Sequence, residues 1–127
     1  MAASDPVLTS SRRLFITDRT SKQQFLVDTG ADVCVYPRGF LSDKRPKTSY
    51  ELYAAKDTKI ATYGLVTFTL DFGLRRAFTW RLIVADVAKP IIGVDFLHHY
   101  DLLVDVRRQA LVDQVTSLVA AGQSGFS

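Results

Sequence analysis

The triplet Asp28-Thr29-Gly30 is the stretch of this 127-residue chain whose residue types most suggest chemistry. It follows the apolar run Phe25-Leu26-Val27, so a carboxylate, a hydroxyl and a glycine come directly after a predicted strand. Asp-Xaa-Gly also commonly marks a turn, and the triplet alone is therefore consistent with an ordinary strand end. The sequence Pro90-Ile91-Ile92-Gly93 occurs about 60 residues later, just before the best predicted helix. The two features together indicate a functional site more specifically than the triplet alone.

Two other groups of reactive side chains are present. His98-His99 suggests a metal site, but adjacent helical residues point about 100° apart and no third ligand is near in sequence. We expect one histidine to pack beneath the helix and the other to be solvated. The single cysteine, Cys34, has no base at a suitable spacing, so a buried apolar role is expected. No metal or cofactor is predicted.

Composition favours a single, mostly β domain. The chain is 47% hydrophobic, with 13 Val, 11 Thr and 14 aromatic residues, whereas the good helix former Glu occurs once. A lone cysteine excludes an intramolecular disulfide framework and fits a reducing environment. No apolar run approaches the ~18 residues that span a bilayer, and the first residues lack the pattern of a signal peptide. We therefore expect an intracellular, cytoplasmic protein without membrane contact.

The net charge of +3 arises from 16 basic and 13 acidic residues spread along the chain. The basic clusters fall at predicted turns, where solvated side chains are the simplest interpretation: 44–47, Arg12-Arg13, Arg75-Arg76 and Arg107-Arg108. Direct binding of nucleic acid is therefore not expected.

Alternating apolar residues predict three hairpins and two later strands. The hairpins pair 13–17 with 24–27, 50–55 with 59–63, and 65–72 with 77–84, and the later strands cover 102–106 and 110–113. A short helix starts near Asp95, which can cap it, and carries Phe96, Leu97 and Tyr100. We assign 12–113 to the domain and expect 1–11 and 114–127 to be linkers.

Three blocks of the sequence resemble the retropepsins, the aspartic proteases of retroviruses, and most closely those of gypsy-type LTR retrotransposons. FLVDTGADVCVY (25–36) resembles the active-site loop, LYAAKDTKIATYG (52–64) the flap, and IIGVDFLHHYDLLVDVRRQALVD (91–113) the C-terminal Ile-Ile-Gly, helix and strand. Their order and spacing also agree with the family. The resemblance implies an all-β, closed β-barrel-like fold with one short C-terminal helix, active as a two-fold homodimer.

In this family each subunit supplies one Asp-Thr-Gly, and this chain has only one such triplet. The resemblance therefore implies that two Asp28 carboxylates meet in a homodimer. With oxygens about 3 Å apart both cannot stay ionised, so the pair shares one proton. The ionised member would take a proton from a water that attacks the scissile carbonyl, and the protonated member would donate to the oxyanion.

The resemblance also implies roles for neighbouring residues. The catalytic set is Asp28, Thr29 and Gly30, and the substrate-binding set is Leu26, Gly30, Ala31, Asp32, Ala54, Ala55, Lys56, Asp57, Thr58 and Ile91. The Thr29 hydroxyl would bond across the two-fold axis, Ile91 would face the cleft, and Gly93 would pack behind the Asp28 loop. Val94 stands where many relatives have an arginine that holds Asp32, so Arg12 or Arg13 of either subunit is the expected partner.

The flap departs from the family pattern, because Lys56-Asp57 occupies a tip that is usually glycine. Asp tolerates positive φ less cheaply than glycine, which puts flap mobility in question.

By the same resemblance, the function would be processing of a Gag/Pol polyprotein, including the chain's own precursor, inside the cell or in virus-like particles. The substrate would be an extended peptide of about seven residues bound as an added strand. The stretch 117–120 is a candidate for self-cleavage. A non-catalytic dimerisation module of retroelement origin is the alternative.

Overall fold

The computed structural model describes residues 13–55 and 57–125, in which strands predominate. The strands are β1 (Arg13–Thr17), β2 (Gln24–Val27), β3 (Val35–Pro37), β4 (Glu51–Ala55), β5 (Thr58–Leu70), β6 (Phe78–Ala85), β7 (Ile91–Ile92), β8 (Leu102–Asp105), β9 (Ala110–Asp113), β10 (Val119–Ala121) and β11 (Gln123–Gly125). The helix α1 covers Val94–His99, and a 3-10 turn covers Arg38–Phe40. The predicted all-β fold with one short helix is confirmed. No helix in the described ranges is long and apolar enough to cross a membrane.

The strands form one curled eight-stranded sheet and one three-stranded sheet. The order in the large sheet is β11-β1-β2-β7-β3-β6-β5-β4, and in the small sheet β10-β9-β8. Most neighbours are antiparallel, but β2 pairs in parallel with β7, and β3 in parallel with β6. Because parallel strands end at the same edge of a sheet, Asp28 after β2 and Gly93 after β7 are brought together.

An aromatic cluster fills the core between the large sheet and α1. The ring centroids of Phe78 and Phe96 are 5.5 Å apart, and those of Phe25 and Phe72 are 6.1 Å apart. All four side chains are buried, and each contributes roughly 1.5–3 kcal/mol through burial. The predicted inward face of 66, 68, 70 and 72 is also confirmed, since the intervening residues 67 and 69 are exposed. The core therefore fixes α1 against the sheet directly behind the Asp28 loop.

The predicted helix cap is wrong. The N-cap residue is Gly93, and no side chain caps the helix. Asp95 lies in the first turn, and its carboxylate accepts hydrogen bonds from Trp80 and Cys34 instead. These donors are largely removed from water, so a carboxylate that accepts from them prevents the cost of leaving them unpaired.

The predicted C-terminal linker is also wrong over the residues that the structure describes. β10 pairs with β9 through Ala120 and Leu111, and β11 pairs with β1 through Ser124 and Leu14. Both added strands are only three residues long, so their alternation is too brief to stand out in the sequence. Part of 117–120, the expected self-cleavage stretch, belongs to β10 and is therefore paired in a sheet. The expected linker 1–11 and the domain's first residue, Arg12, lie outside the described residues.

The turn between β5 and β6 is only partly solvated, which corrects the expectation for Arg75-Arg76. The Arg76 guanidinium forms two hydrogen bonds with the buried Asp113 carboxylate, of 2.8 and 3.0 Å. Arg76 also donates to the Tyr100 carbonyl at 2.6 Å. Burial opposes ionisation of Asp113, but Arg76 and the Val115 N–H outweigh it, so the pKa of Asp113 is lowered.

We predict that Asp113→Asn lowers the free energy of unfolding by about 1.5–3 kcal/mol at pH 7, because Arg76 loses a charged partner. Since the pKa of Asp113 is lowered on folding, its contribution is complete above the ordinary value of 3.8. The contribution is lost as the pH falls through the lowered value. Urea unfolding across this pH range should show the difference from wild type narrowing in acid. Asp43→Asn, which breaks an exposed pair with Arg45, should cost under about 1 kcal/mol.

We also predict that a chain ending at Gln114 is less stable than one ending at Gly125, by about 2–4 kcal/mol. The shorter chain loses the buried Ala120 and leaves the edges of β1 and β9 unpaired. Urea unfolding of the two chains measures the difference. Equal midpoints would show that 115–125 behave as a linker, as the sequence suggested.

Candidate active site

Backbone hydrogen bonds hold the Asp28 loop against the segment that joins β7 to α1. The Asp28 N–H donates to the Ile92 carbonyl at 3.0 Å, which extends the β2–β7 pairing by one residue. The Val94 N–H donates to the Ala31 carbonyl at 2.9 Å, and the Ala31 N–H donates to the Asp28 carbonyl at 3.1 Å. The loop is thus fixed both to itself and to its neighbour.

Gly93 is placed behind the Asp28 loop, where only glycine fits. A Cβ at this position would lie 2.6 Å from the Val33 carbonyl oxygen and 2.8 Å from that of Ala31. Both contacts are with backbone, which cannot move aside without shifting the loop. The close packing of Gly93 against the loop therefore sets the distance between the Asp28 loop and the end of β7.

The Asp28 carboxylate is oriented by its own loop. The Gly30 N–H donates to Asp28 Oδ1 at 2.9 Å, and a Cβ on Gly30 would lie 3.3 Å from the same oxygen. Within the described ranges no hydrogen bond reaches Asp28 Oδ2 or the hydroxyl of Thr29. Thr29 and Gly30 are exposed, so this loop presents its polar groups at the surface.

Asp28 lies in an open pocket of about 560 Å³. Four residues predicted for the site line it: Leu26, Asp28, Thr29 and Ile91. Leu26 and Ile91 are paired across β2 and β7, and both are half-buried. Six further residues line it, of which the site prediction included none: Arg13, Leu14, Val27, Val104, Val106 and Gln109. The last three come from β8 and the β8–β9 turn, for which no motif in the sequence indicated a site.

The remaining predicted substrate-binding residues do not line this pocket. Gly30, Ala31 and Asp32 continue the loop beyond it, and Ala54, Asp57 and Thr58 belong to the β4–β5 hairpin. The hairpin pairs as predicted, with Ala55 opposite Thr58. Asp57 has a φ of 66°, in the left-handed region, as a tight tip requires. Lys56 lies outside the described residues, as does the side chain of Ala55.

Asp32 and Arg13 do not pair within the chain. Both are accessible, and none of the salt bridges in the described ranges includes either of them. Arg13 instead lines the pocket beside Asp28. Of the two partners expected for Asp32, Arg12 lies outside the described residues, and Arg13 of the same chain is not its partner.

A buried polar network behind the loop was missed by the sequence analysis. The Cys34 thiol donates to Asp95 Oδ1 at 3.2 Å and accepts from the Gly93 N–H at 3.2 Å. Trp80 Nε1 donates to Asp95 Oδ2 at 3.0 Å. Burial raises the pKa of Cys34, and the Asp95 carboxylate adds to the effect, so the thiol stays protonated at neutral pH. Cys34 is buried in the apolar core as predicted, but its sulfur has polar hydrogen-bond partners.

The expectation that one histidine packs beneath α1 is wrong, because His98 and His99 are both exposed. The centroid of the His99 ring lies 4.8 Å from that of the Trp80 ring in β6. In the part of the chain that the structure describes, no three His, Cys, Asp or Glu side chains are placed to hold a metal.

The arrangement provides one oriented carboxylate beside an apolar cleft. Such a group can accept a proton from a water or hold one for transfer. A single Asp28 cannot do both in the same step, because each role needs a different protonation state. One chain therefore supplies one carboxylate, which can fill one of these two roles.

No protein-family model and no curated protein sequence matches the chain. Solved structures do match. The retroviral protease-like domain of Ddi1 from Leishmania major superposes with a TM-score of 0.65 over 90% of this chain and 94% of that one, at 14% identity. EIAV protease complexed with the inhibitor HBY-793 superposes with a TM-score of 0.50 over 72% and 89%, at 23% identity. The chain therefore has the retropepsin-like fold of the retroviral proteases.

Proposed function

We propose that this protein is an aspartic endopeptidase whose active site forms when two copies bring their Asp28 carboxylates together. The observation that carries the proposal is the Asp28 carboxylate itself. It is held by the Gly30 N–H at the end of a core strand and lies in an open cleft walled by Leu26 and Ile91. A structural Asx turn would make the same hydrogen bond. The proposal is therefore supported by the position of the carboxylate in an open cleft beside Leu26 and Ile91.

Two Asp28 carboxylates about 3 Å apart share one proton, which gives each a different role. The ionised carboxylate takes a proton from a water as the water oxygen bonds to the peptide carbonyl carbon. The protonated carboxylate donates to the carbonyl oxygen, so a neutral tetrahedral diol forms. One carboxylic acid then gives its proton to the peptide nitrogen while the other carboxylate takes a proton from a diol hydroxyl. The C–N bond breaks to give an amine and a carboxylic acid, and the pair again holds one proton. The reaction needs no covalent enzyme intermediate.

The exposed face of the loop supports a two-fold assembly. The Thr29 hydroxyl is available to bond to the partner's loop across the axis. Asp32 and Arg13 carry opposite charges, are accessible and are unpaired within the described chain. In a two-fold symmetric dimer every contact between the copies occurs twice. An ion pair between Asp32 of one copy and Arg13 of its partner would therefore form at two places in the interface.

The substrate proposed is an extended peptide that binds as an added strand between the β4–β5 hairpin and the cleft. Backbone hydrogen bonds would give affinity, and the apolar walls at Leu26 and Ile91 would favour apolar side chains next to the cut bond. Gag and Pol segments of a gypsy-type retroelement, including the protein's own precursor, are the proposed natural substrates. Processing would take place inside the cell.

We predict that Asp28→Asn abolishes turnover while leaving fold and self-association intact. The amide is nearly isosteric and can still accept the Gly30 hydrogen bond, but it cannot take a proton from water. Cleavage of the protein's own precursor, followed by mass spectrometry of the products, is the measurement. Asp43→Asn, which changes an exposed carboxylate that does not line the pocket, serves as the matched control and should retain cleavage.

Cleavage by the purified Asp28→Asn protein would show that another group does the chemistry. A wild-type protein that dimerises but cleaves neither its precursor nor a peptide library would favour the alternative, a dimerisation module without catalysis.

For the hairpin tip we predict that Asp57→Gly raises kcat/KM about two- to fivefold, because glycine adopts the observed positive φ without strain and lets the tip move more freely. Asp57→Val should lower stability, since a β-branched residue resists that conformation. Steady-state kinetics and thermal unfolding of both variants test the prediction. If Asp57→Gly unfolds the protein, the hairpin contributes more to the core than its exposure indicates.

A further inference from the structure

The pocket beside Asp28 has a second wall that the proposed chemistry does not use. This wall consists of Val104 in β8 together with Val106 and Gln109 in the β8–β9 turn. Val106 is 80% exposed, more than any other large hydrophobic side chain of the described chain. Arg107 and Arg108 follow it in the same turn. Turns are usually formed by polar residues, so an exposed valine is unusual at this position.

The turn presents Val106 in a fixed position. Arg108 forms a hydrogen bond of 2.7 Å to the Asp105 carboxylate, which also accepts from the Arg108 N–H at 3.0 Å. At the other side, the Gly122 N–H donates to the Gln109 carbonyl at 2.9 Å. Gly122 is itself packed on β1, where a Cβ would lie 2.2 Å from Leu14 Cδ1. The turn is thus held against β1. Since residues of the turn, β1 and the Asp28 loop line the same pocket, the three segments form one continuous surface.

The occupant of this surface follows from the incomplete site. The described chain contains one Asp28, and the second carboxylate must arrive within about 3 Å of it. A second copy that brings its Asp28 to that position approaches over the exposed Thr29, and Val106 stands at the border of the same pocket. The part of the pocket between Leu26 and Ile91 stays open for substrate. Val106 is an exposed apolar side chain next to the surface on which the second copy would dock. Its burial in the contact between the two copies would be favourable.

We propose that Val106 is an apolar contact between two copies of this chain, and that the β8–β9 turn thereby stabilises the assembly that completes the site. The proposal rests on the proposed homodimeric function. By two-fold symmetry each copy contributes the contact once, so a single substitution changes both halves of the interface.

Val106→Asp tests this, with Val115→Asp as the matched control. Val115 is 63% exposed, lies in the turn after β9 and does not line the pocket. Sedimentation velocity should show the dimer dissociation constant raised at least tenfold by Val106→Asp, and unchanged by Val115→Asp. Precursor cleavage by Val106→Asp should fall at low enzyme concentration and recover as the concentration rises, because the Asp28 loop is intact.

Val106→Ser adds a variant without a new charge and should weaken the dimer by a smaller factor. Circular dichroism and thermal unfolding of each variant establish that the fold is kept. If wild type dimerises and both Val106 variants dimerise equally well, this inference is overturned and the proposed function stands. If wild type stays monomeric at every concentration and cleaves nothing, the proposed function and the inference both fail.

Discussion

The short parallel pairing of β2 with β7 is the constraint on which the site depends. It consists of two residue pairs, Leu26 with Ile91 and Val27 with Ile92, yet it brings Asp28 and Gly93 to the same edge of the sheet. Gly93 then lies so close to the carbonyls of Ala31 and Val33 that no side chain fits between them. The loop geometry is thus set by backbone packing, which is stiffer than side-chain contacts and gives Asp28 a defined position.

Three carboxylates, those of the buried Asp18 and Asp113 and of the half-buried Asp95, join parts of the chain that are far apart in sequence. Asp95 joins α1 to β6 and to the start of β3, and Asp113 joins β9 to the β5–β6 turn. Asp18 joins the β1–β2 turn to the end of β5 by accepting from the Asp71 N–H at 2.9 Å. Burial opposes the charge on Asp18, but these hydrogen bonds outweigh it and lower its pKa. Because a buried charge without partners is costly, such contacts favour one arrangement of the strands.

The proposed dimer would account for several groups that are accessible at the surface of one chain. The Thr29 hydroxyl, the charges of Arg13 and Asp32, and the side chain of Val106 are all accessible in one chain, around one pocket or its loop. A monomer gains nothing by exposing Val106 beside a fixed carboxylate. A second copy would satisfy all of these groups at once, and the proposed chemistry requires that copy.

The sequence predicted the strand-rich fold and the position of Asp28 at the end of a core strand and, through its resemblance to a family motif, the placement of Gly93 behind that loop. These features depend on local alternation and on a motif, both of which can be read along the chain. Tertiary structure alone decided the roles of Asp95 and Asp113, because their partners lie on distant parts of the chain. It also decided that 119–125 join the sheets, since three-residue strands gain stability only from the long-range pairing that the fold supplies.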